Sequence, residues 1–175
     1  FSGDPEGFPR PELWQVGLVA PLRQTARWLR QNGESRVALQ GNYRLTSAIV
    51  LGQALRAAHG FELDIPTRDG VWKTDDHESA HSVAEDWTIV MPHALESDEL
   101  SICIGVIRDP SATLKQTNET AEGSLLVAHL PKAITSGNEA QGAVALIKVK
   151  VTAAVASLKP KRLHLYIAGP AAFAV

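Results

Sequence analysis

The chain has 175 residues, enough for one good-sized domain or two small halves that share a core. Hydrophobic residues make up 45% and charged residues 21%, the balance of an ordinary globular protein. The formal net charge of −2 supplies no chain-wide basic field for non-specific nucleic-acid binding, although clustered backbone N–H groups can still hold a small anion.

Cys103 is the single cysteine, which excludes a disulfide scaffold and argues against a cysteine zinc site. No apolar run approaches the roughly 20 residues of a membrane span. The start, Phe1-Ser2-Gly3-Asp4-Pro5, carries neither Met nor a signal peptide, and the end reads as a helix just beginning. The expectation is a fragment of a longer protein.

Residues 1–11 are rich in Gly and Pro and read as a linker. Leu18, Leu22, Ala26 and Leu29 recur at helical spacing, and Pro21 places the start of the regular helix at its own first turn. Arg36 to Gln40 reads as a strand. A tight loop at Gly41-Asn42-Tyr43-Arg44 follows, then a helix marked by Leu45, Ala48, Ile49, Gly52, Leu55 and Ala58 that stops at Gly60. Phe61 to Ile65 alternates as a strand. Residues 66–85 are polar and contain Asp69-Gly70, so the junction between a first half (12–82) and a second half (83–175) is placed there.

Trp87, Ile89 and Met91 alternate as a strand. Leu100 to Ile107 is nearly all apolar, as a strand buried on both faces must be. Arg108-Asp109-Pro110-Ser111 ends it and opens a short helix over 111–121. Ser124 to Leu130 is a further strand. Residues 139–158 fit both a strand alternation and a helical stripe, and their length decides for helix. Leu163 to Ile167 is the last strand, turned by Gly169-Pro170 into a truncated helix. The pattern predicts an α/β fold of Rossmann-like type with mainly parallel sheets flanked by helices.

Ligands of such sheets bind beyond the carboxyl ends of strands, at helix starts. The first such place is Gly41-Asn42-Tyr43-Arg44-Leu45-Thr46, where Arg44 could pair with a phosphate. Arg108-Asp109-Pro110 and Gly169-Pro170-Ala171 are the second and third. Trp72-Lys73 in the polar stretch could stack on a base and hold a phosphate, or Trp72 could pack the loop onto the core. Trp14, Trp28 and Trp87 read as core.

His77 and His81, spaced i and i+4 beside Asp75, Asp76 and Glu78, invite a zinc reading. The stretch reads instead as an acidic exposed loop, so no metal is expected. His93, His129 and His164 read as structural, and Lys148 and Lys150 as solvated. Cys103 sits mid-strand as a buried, inert thiol. The sequence contains no Gly-x-Ser-x-Gly, no Walker loop and no Gly-x-Gly-x-x-Gly.

Arg162-Leu163-His164-Leu165-Tyr166-Ile167-Ala168-Gly169-Pro170-Ala171-Ala172-Phe173-Ala174-Val175 resembles the end of SAVED domains, where an apolar strand runs through a Gly-Pro turn into an alanine-rich helix. Val37-Ala38-Leu39-Gln40-Gly41, with Arg44-Leu45-Thr46-Ser47-Ala48 and Leu51-Gly52, is similar to that family's first strand, loop and helix. The resemblance runs from about residue 12 to 175 and is carried by Gly and Pro punctuation of apolar strands. The family's further helix and last strand have no counterpart here.

The resemblance implies two fused CARF-like Rossmann halves, the second one truncated. It implies a bacterial, cytoplasmic, non-catalytic sensor of cyclic di-, tri- or tetranucleotides in CBASS or CRISPR antiphage defence. Cyclic tri- or tetra-adenylate is the expected ligand, and no cofactor is expected. Binding would drive homo-oligomerisation and switch on a fused N-terminal effector. The ligand contacts it implies are Gly41, Asn42, Tyr43, Arg44, Trp72, Lys73, Arg108, Asp109, Gly169, Pro170 and Ala171. A Rossmann-like nucleotide-processing enzyme and an interaction domain that assembles without ligand are the rival readings.

Overall fold

The computed structural model describes residues 10–41, 44–68, 70–75, 84–95, 97–116 and 122–174. The chain divides into two compact units. One spans Phe1–Asp75 with Ala174–Val175, and the other spans Asp76–Phe173.

The first unit opens with helix α1. It comprises an α-helical turn Pro11–Trp14, a π-helical segment Gln15–Val19 and a regular stretch Ala20–Gln31. The helix therefore begins ten residues before Pro21, not at it. A proline inside an α-helix lacks an N–H and crowds the carbonyl one turn back. The wider π turn just before Pro21 relieves that conflict, with the Ala20 N–H reaching back five residues to the Gln15 carbonyl. Trp28 is 58% exposed on this helix, so it does not belong to the core as its spacing suggested.

Strand β1 (Arg36–Ala38) leads to helix α2 (Leu45–Ala54) and a single 3-10 turn at Ala57–His59. Gly60, with φ +83°, then releases the chain into β2 (Glu62–Thr67). β1 and β2 are parallel, and β3 (Gly70–Lys73) returns antiparallel to β2, with Ile65 opposite Trp72. The polar stretch was expected to be a loop, and β3 corrects that reading. Trp72 is 8% exposed, and Phe61, Leu63 and Ile65 are buried with it. Lys73 lies opposite Asp64 on the exposed side, where Arg36 holds the same carboxylate through two bonds of 2.7 and 3.1 Å.

The second unit holds a four-stranded sheet in the order β4-β6-β5-β7. Its strands are β4 (Thr88–Val90), β5 (Glu99–Val106), β6 (Leu125–Leu130) and β7 (Arg162–Ala168). β6, β5 and β7 are parallel, and β4 is an antiparallel edge. Both sheets are thus mixed, each carrying one antiparallel edge strand. Helix α3 (Ser111–Gln116) lies between β5 and β6 in sequence, and α4 (Gly137–Leu158) crosses from β6 to β7. A short helix α5 (Ala171–Ala174) follows β7.

Leu100, Ile102, Ile104 and Val106 of β5 are all buried, and so are Ala140, Ala143, Leu146, Ile147 and Ala154 of α4. The opposite face of the sheet gathers Cys103, Leu114, Leu125 and Val127, with Tyr166 packed against them. Ser136 caps α4 by accepting the Glu139 N–H at 3.1 Å, and the Glu139 carboxylate accepts from the Thr135 backbone at 2.9 Å, a near-complete capping box. By length and composition alone α4 is long and apolar enough to cross a membrane. Here it serves as the crossover helix, with seven of its residues buried.

Candidate ligand-binding site

In the parallel core of the second unit the chain leaves β5 to one side through α3 and β6, then returns through α4 to place β7 on β5's other side. Outward connections diverge between β5 and β7, which is where open α/β sheets form a crevice at the carboxyl edge. Two of the three loops singled out by sequence end there together. Gly105 is opposite Ala168, so Arg108-Asp109-Pro110 and Gly169-Pro170-Ala171 leave adjacent strands from adjacent positions.

Both loops are drawn close to the sheet. A Cβ at Gly105 would overlap the Arg108 carbonyl oxygen and lie 2.7 Å from Pro110 Cδ. A Cβ at Gly169 would lie 3.2 Å from Val106 Cβ. Ile107, between them, holds φ +71° with its side chain 59% exposed, while its N–H bonds to the Leu130 carbonyl at 2.8 Å. A β-branched residue disfavours that left-handed region, and such backbone strain concentrates at functional sites.

Arg108 is exposed and makes no ion pair among the described residues. Asp109 is engaged: its Oδ1 accepts the Ser111 N–H at 2.8 Å and caps α3. Burial pushes Asp109 up, but the Ser111 bonds outweigh it, and the fields of His129 and Lys115 act the same way. The carboxyl is held below its usual range. A carboxylate so committed forms the loop and does not greet a phosphate. Phe173 stacks on the buried Trp87 ring at 6.3 Å and 29°, so the turn after Gly169-Pro170 is tied back to the chain entering β4.

The third place lies in the first unit. Gly41 has φ +116° at the end of β1, and Arg44 is the N-cap of α2 with no side-chain cap bond. Asn42 and Tyr43 lie outside the described residues, as do His77 and His81. No acid occupies the first turn of α2, so the N–H groups of Leu45 and Thr46 and the exposed Arg44 guanidinium present positive charge that meets no carboxylate among the described residues. Trp72 and Lys73 are not part of this surface as predicted. The Trp72 ring is in the sheet core, and Lys73 faces Asp64.

Sequence reasoning passed over a cavity of about 400 Å³ on the β4–β6 face beside α3. His93, Asp109, Ser111, Lys115 and His129 line it together with Thr88. The His129 Nε2 atom is buried without a partner among the described residues. Alternation along β6 was the available signal, because it sends His129 to the same face as Val127 and Leu125. Cys103 lies on this face too, fully buried, and burial pushes its thiol up to about 11, with the Asp109 charge adding to the effect.

Two α/β units that turn strands into helices through Gly-containing loops, with an Arg at one helix start and a crevice at a strand divergence, define an α/β fold whose ligand sites are expected at the carboxyl ends of its strands. The family model of the SMODS-associated and fused to various effectors sensor domain (SAVED) matches residues 21–175. The chain belongs to that family. No curated protein matches it.

Among solved structures, the Cap4 SAVED/CARF-domain receptor of Acinetobacter baumannii with the cyclic trinucleotide 3'3'3'-cAAA superposes with a TM-score of 0.85 at 21% identity. That match covers 99% of this chain and 40% of the receptor. The same receptor with 2'3'3'-cAAA gives a TM-score of 0.83 at 22% identity, again with 99% and 40% covered. The Moraxella osloensis Cap4 receptor gives 0.72 at 20% identity, with 99% and 38% covered. At these identities the likeness is one of fold. This chain spans about 40% of the length of the receptors it resembles.

Proposed function

We propose that this chain is the sensing module for a cyclic oligonucleotide, of the cyclic tri-adenylate class, within a longer antiphage effector. The observation that supports the reading most is the pairing of Arg108-Asp109-Pro110 with Gly169-Pro170-Ala171 at the β5–β7 divergence of a SAVED family chain. Close-packed backbone and an unpaired arginine suit a phosphodiester ring, whose charge is held best by N–H groups and guanidinium.

The two units correspond to two CARF-like halves. Arg44 with the Leu45 and Thr46 N–H groups forms the phosphate contacts of the first, and Arg108 those of the second. Asn42 and Tyr43 complete the first loop. Asp109 shapes its loop, and Ile107, Pro110 and Ala171 offer apolar surface to a base. The module turns nothing over. It signals by favouring an assembled state that holds ligand better than the free monomer does, and so switches on an effector fused on its N-terminal side.

A thermal-shift series against cyclic di-, tri- and tetra-adenylates, with linear adenylates as controls, tests this. A ligand that binds only the native state adds about 2.7 kcal/mol at a hundredfold excess over its dissociation constant. A shift with cyclic tri-adenylate and none with the linear form is the expected result. A larger shift with the tetra-adenylate would correct the ring size. Silence from every cyclic form, together with concentration-dependent assembly in ligand-free buffer, would replace the sensor reading by that of an interaction domain.

A further inference from the structure

The whole-chain charge of −2 hides a division. Residues 10–60 carry seven arginines against Glu12 and Glu34, a local charge of +5, and no lysine precedes Lys73. Residues 61–175 carry −5. Across the whole first unit, Phe1–Asp75, nine Lys and Arg side chains face eight Asp and Glu, so the positive charge is local to residues 10–60.

Part of this charge is organised. Arg23, Arg27 and Arg30 fall at i, i+4 and i+7 of α1, which puts them in one row on one face. Across from them, beyond the end of α2, stands Arg56. Its Nε and Nη2 lie 3.0 and 2.8 Å from His59 Nε2, so the imidazole fixes the guanidinium in place. The four arginines and His59 line a groove of about 290 Å³ between α1 and α2, floored by the small side chains Ala26 and Ala54. Among the described residues no carboxylate lies within 4 Å of any of the four guanidinium groups. Fixed like charges that no internal acid neutralises are a cost to folding unless something outside answers them.

The shape of the cluster says what answers them. A site for one phosphate converges its cations on a point. Here the α1 row runs for about 10 Å, at 1.5 Å rise per residue. A row of that length faces several phosphates in line and not a single one, as a polyanion with regularly spaced phosphates presents them. Every cation in it is arginine, whose planar fork matches phosphate oxygens two at a time. The groove also lies at the carboxyl end of α2, the opposite end from Gly41 and Arg44, so it is a separate site from the proposed messenger contacts.

We propose that the α1–α2 groove binds the phosphodiester backbone of duplex DNA. It reads no sequence, since guanidinium contacts to phosphate position a duplex without discriminating bases.

Fluorescence anisotropy of a labelled 20-base-pair duplex tests this, with no messenger added. Four phosphate contacts predict a log–log salt slope near −3.6 and a loss on the order of a hundredfold in affinity between 50 and 200 mM salt. The double variant R27Q/R30Q is expected to flatten the slope by about two and to weaken binding at 50 mM salt. The variant R27K/R30K, which keeps the charge but not the bidentate fork, is expected to keep the parent's salt slope at a lower affinity. It thereby separates loss of charge from loss of fold. Removing the same charge elsewhere, with K148Q/K150Q on α4, is expected to leave binding unchanged. The proposal is overturned if the duplex fails to bind at 50 mM salt, if K148Q/K150Q weakens binding as much as R27Q/R30Q does, or if vesicles of anionic lipid displace the duplex stoichiometrically. Its failure would leave the thermal-shift result with cyclic adenylates untouched.

Discussion

Gly169 lies against Val106, where a Cβ on the glycine would come 3.2 Å from Val106 Cβ and 3.4 Å from its Cγ2. The turn after β7 thus rests directly on the last residue of β5. At Gly105, one residue earlier on β5, the obstacle is backbone: the Arg108 carbonyl oxygen occupies the space a side chain would need. A valine can yield by a few tenths of an ångström, whereas a folded-back main chain cannot do so without moving the loop. Gly105→Ala should therefore cost about 1–3 kcal/mol in a urea melt, in the range of overpacked core sites. Gly169→Ala should cost less than about 1 kcal/mol. Equal midpoints for the two variants would show that the 107–110 loop does not fold back as described.

Ile107 carries a left-handed backbone on an exposed β-branched residue. Glycine adopts that conformation freely, and little apolar contact is lost by removing a side chain that faces water. Ile107→Gly should raise the urea midpoint, with a gain in unfolding free energy of about 1 kcal/mol. It should also weaken messenger affinity if the Ile107 side chain covers a base. A lower midpoint would mean that the strain is offset by contacts this side chain makes.

Asp109 is held ionised by the cap it gives α3. A depressed carboxyl stabilises the native state at pH values above its ordinary value of 3.8, and that contribution is lost as acid protonates it. Asp109→Ala should cost about 1 kcal/mol at pH 7, the usual loss of an N-cap. The gap between variant and parent should close as the pH is taken below 3.8. Urea midpoints at pH 7 and at pH 3 measure both halves. A gap that persists undiminished at pH 3 would show that the cap, not its charge, is what stabilises.

Cys103 behaves in the opposite sense. Its thiol is pushed up to about 11 from 9.0 by burial, so the native state favours the protonated form. Stability from this source is complete below pH 9.0 and is lost as the pH rises toward 11. Thiol reagents at pH 8 should react with Cys103 only through opening of the second unit, at a rate far below that of the urea-unfolded chain. Rapid labelling of the native protein would place the thiol at the surface.

Arg44 stands at the start of α2 without a side-chain cap bond, so its removal leaves no buried group unpaired. Arg44→Ala should leave the melting temperature of the free chain unchanged. It should weaken cyclic tri-adenylate by about tenfold or more, as loss of one charge-assisted hydrogen bond of about 1.5–3 kcal/mol requires. Calorimetric titration of the parent and variant reads this directly. Unchanged affinity would remove Arg44 from the phosphate contacts.

Much of the fold was legible. Continuous apolarity over Leu100 to Ile107 marked β5, and the length of the 139–158 stripe settled α4 as a helix even though Ile147 to Val151 alternates like a strand. Gly60, Gly169 and Asp109 announced their turns, because φ limits and side-chain capping act locally. The first unit was harder. Gly70-Val71-Trp72-Lys73 is too short and too flanked by charge to signal a strand, and it becomes one by pairing with Ile65 and its neighbours in β2. The same pairing buried Trp72, which the sequence had left between the core and a ligand.

By itself the sequence determined the order of elements, the turns into helices at 41–44, 108–110 and 169–170, and the family to which they belong. Each of these rests on periodicity or on turn chemistry, which neighbours along the chain decide. Tertiary structure alone decided that two of those loops emerge side by side, because strand order is set by how α4 crosses the sheet and not by any residue within the loops. It also decided that Arg56, held by His59, stands across a groove from Arg23, Arg27 and Arg30. A row of like charges can be read from helical spacing, but the second wall of a groove comes from a helix packed against the first.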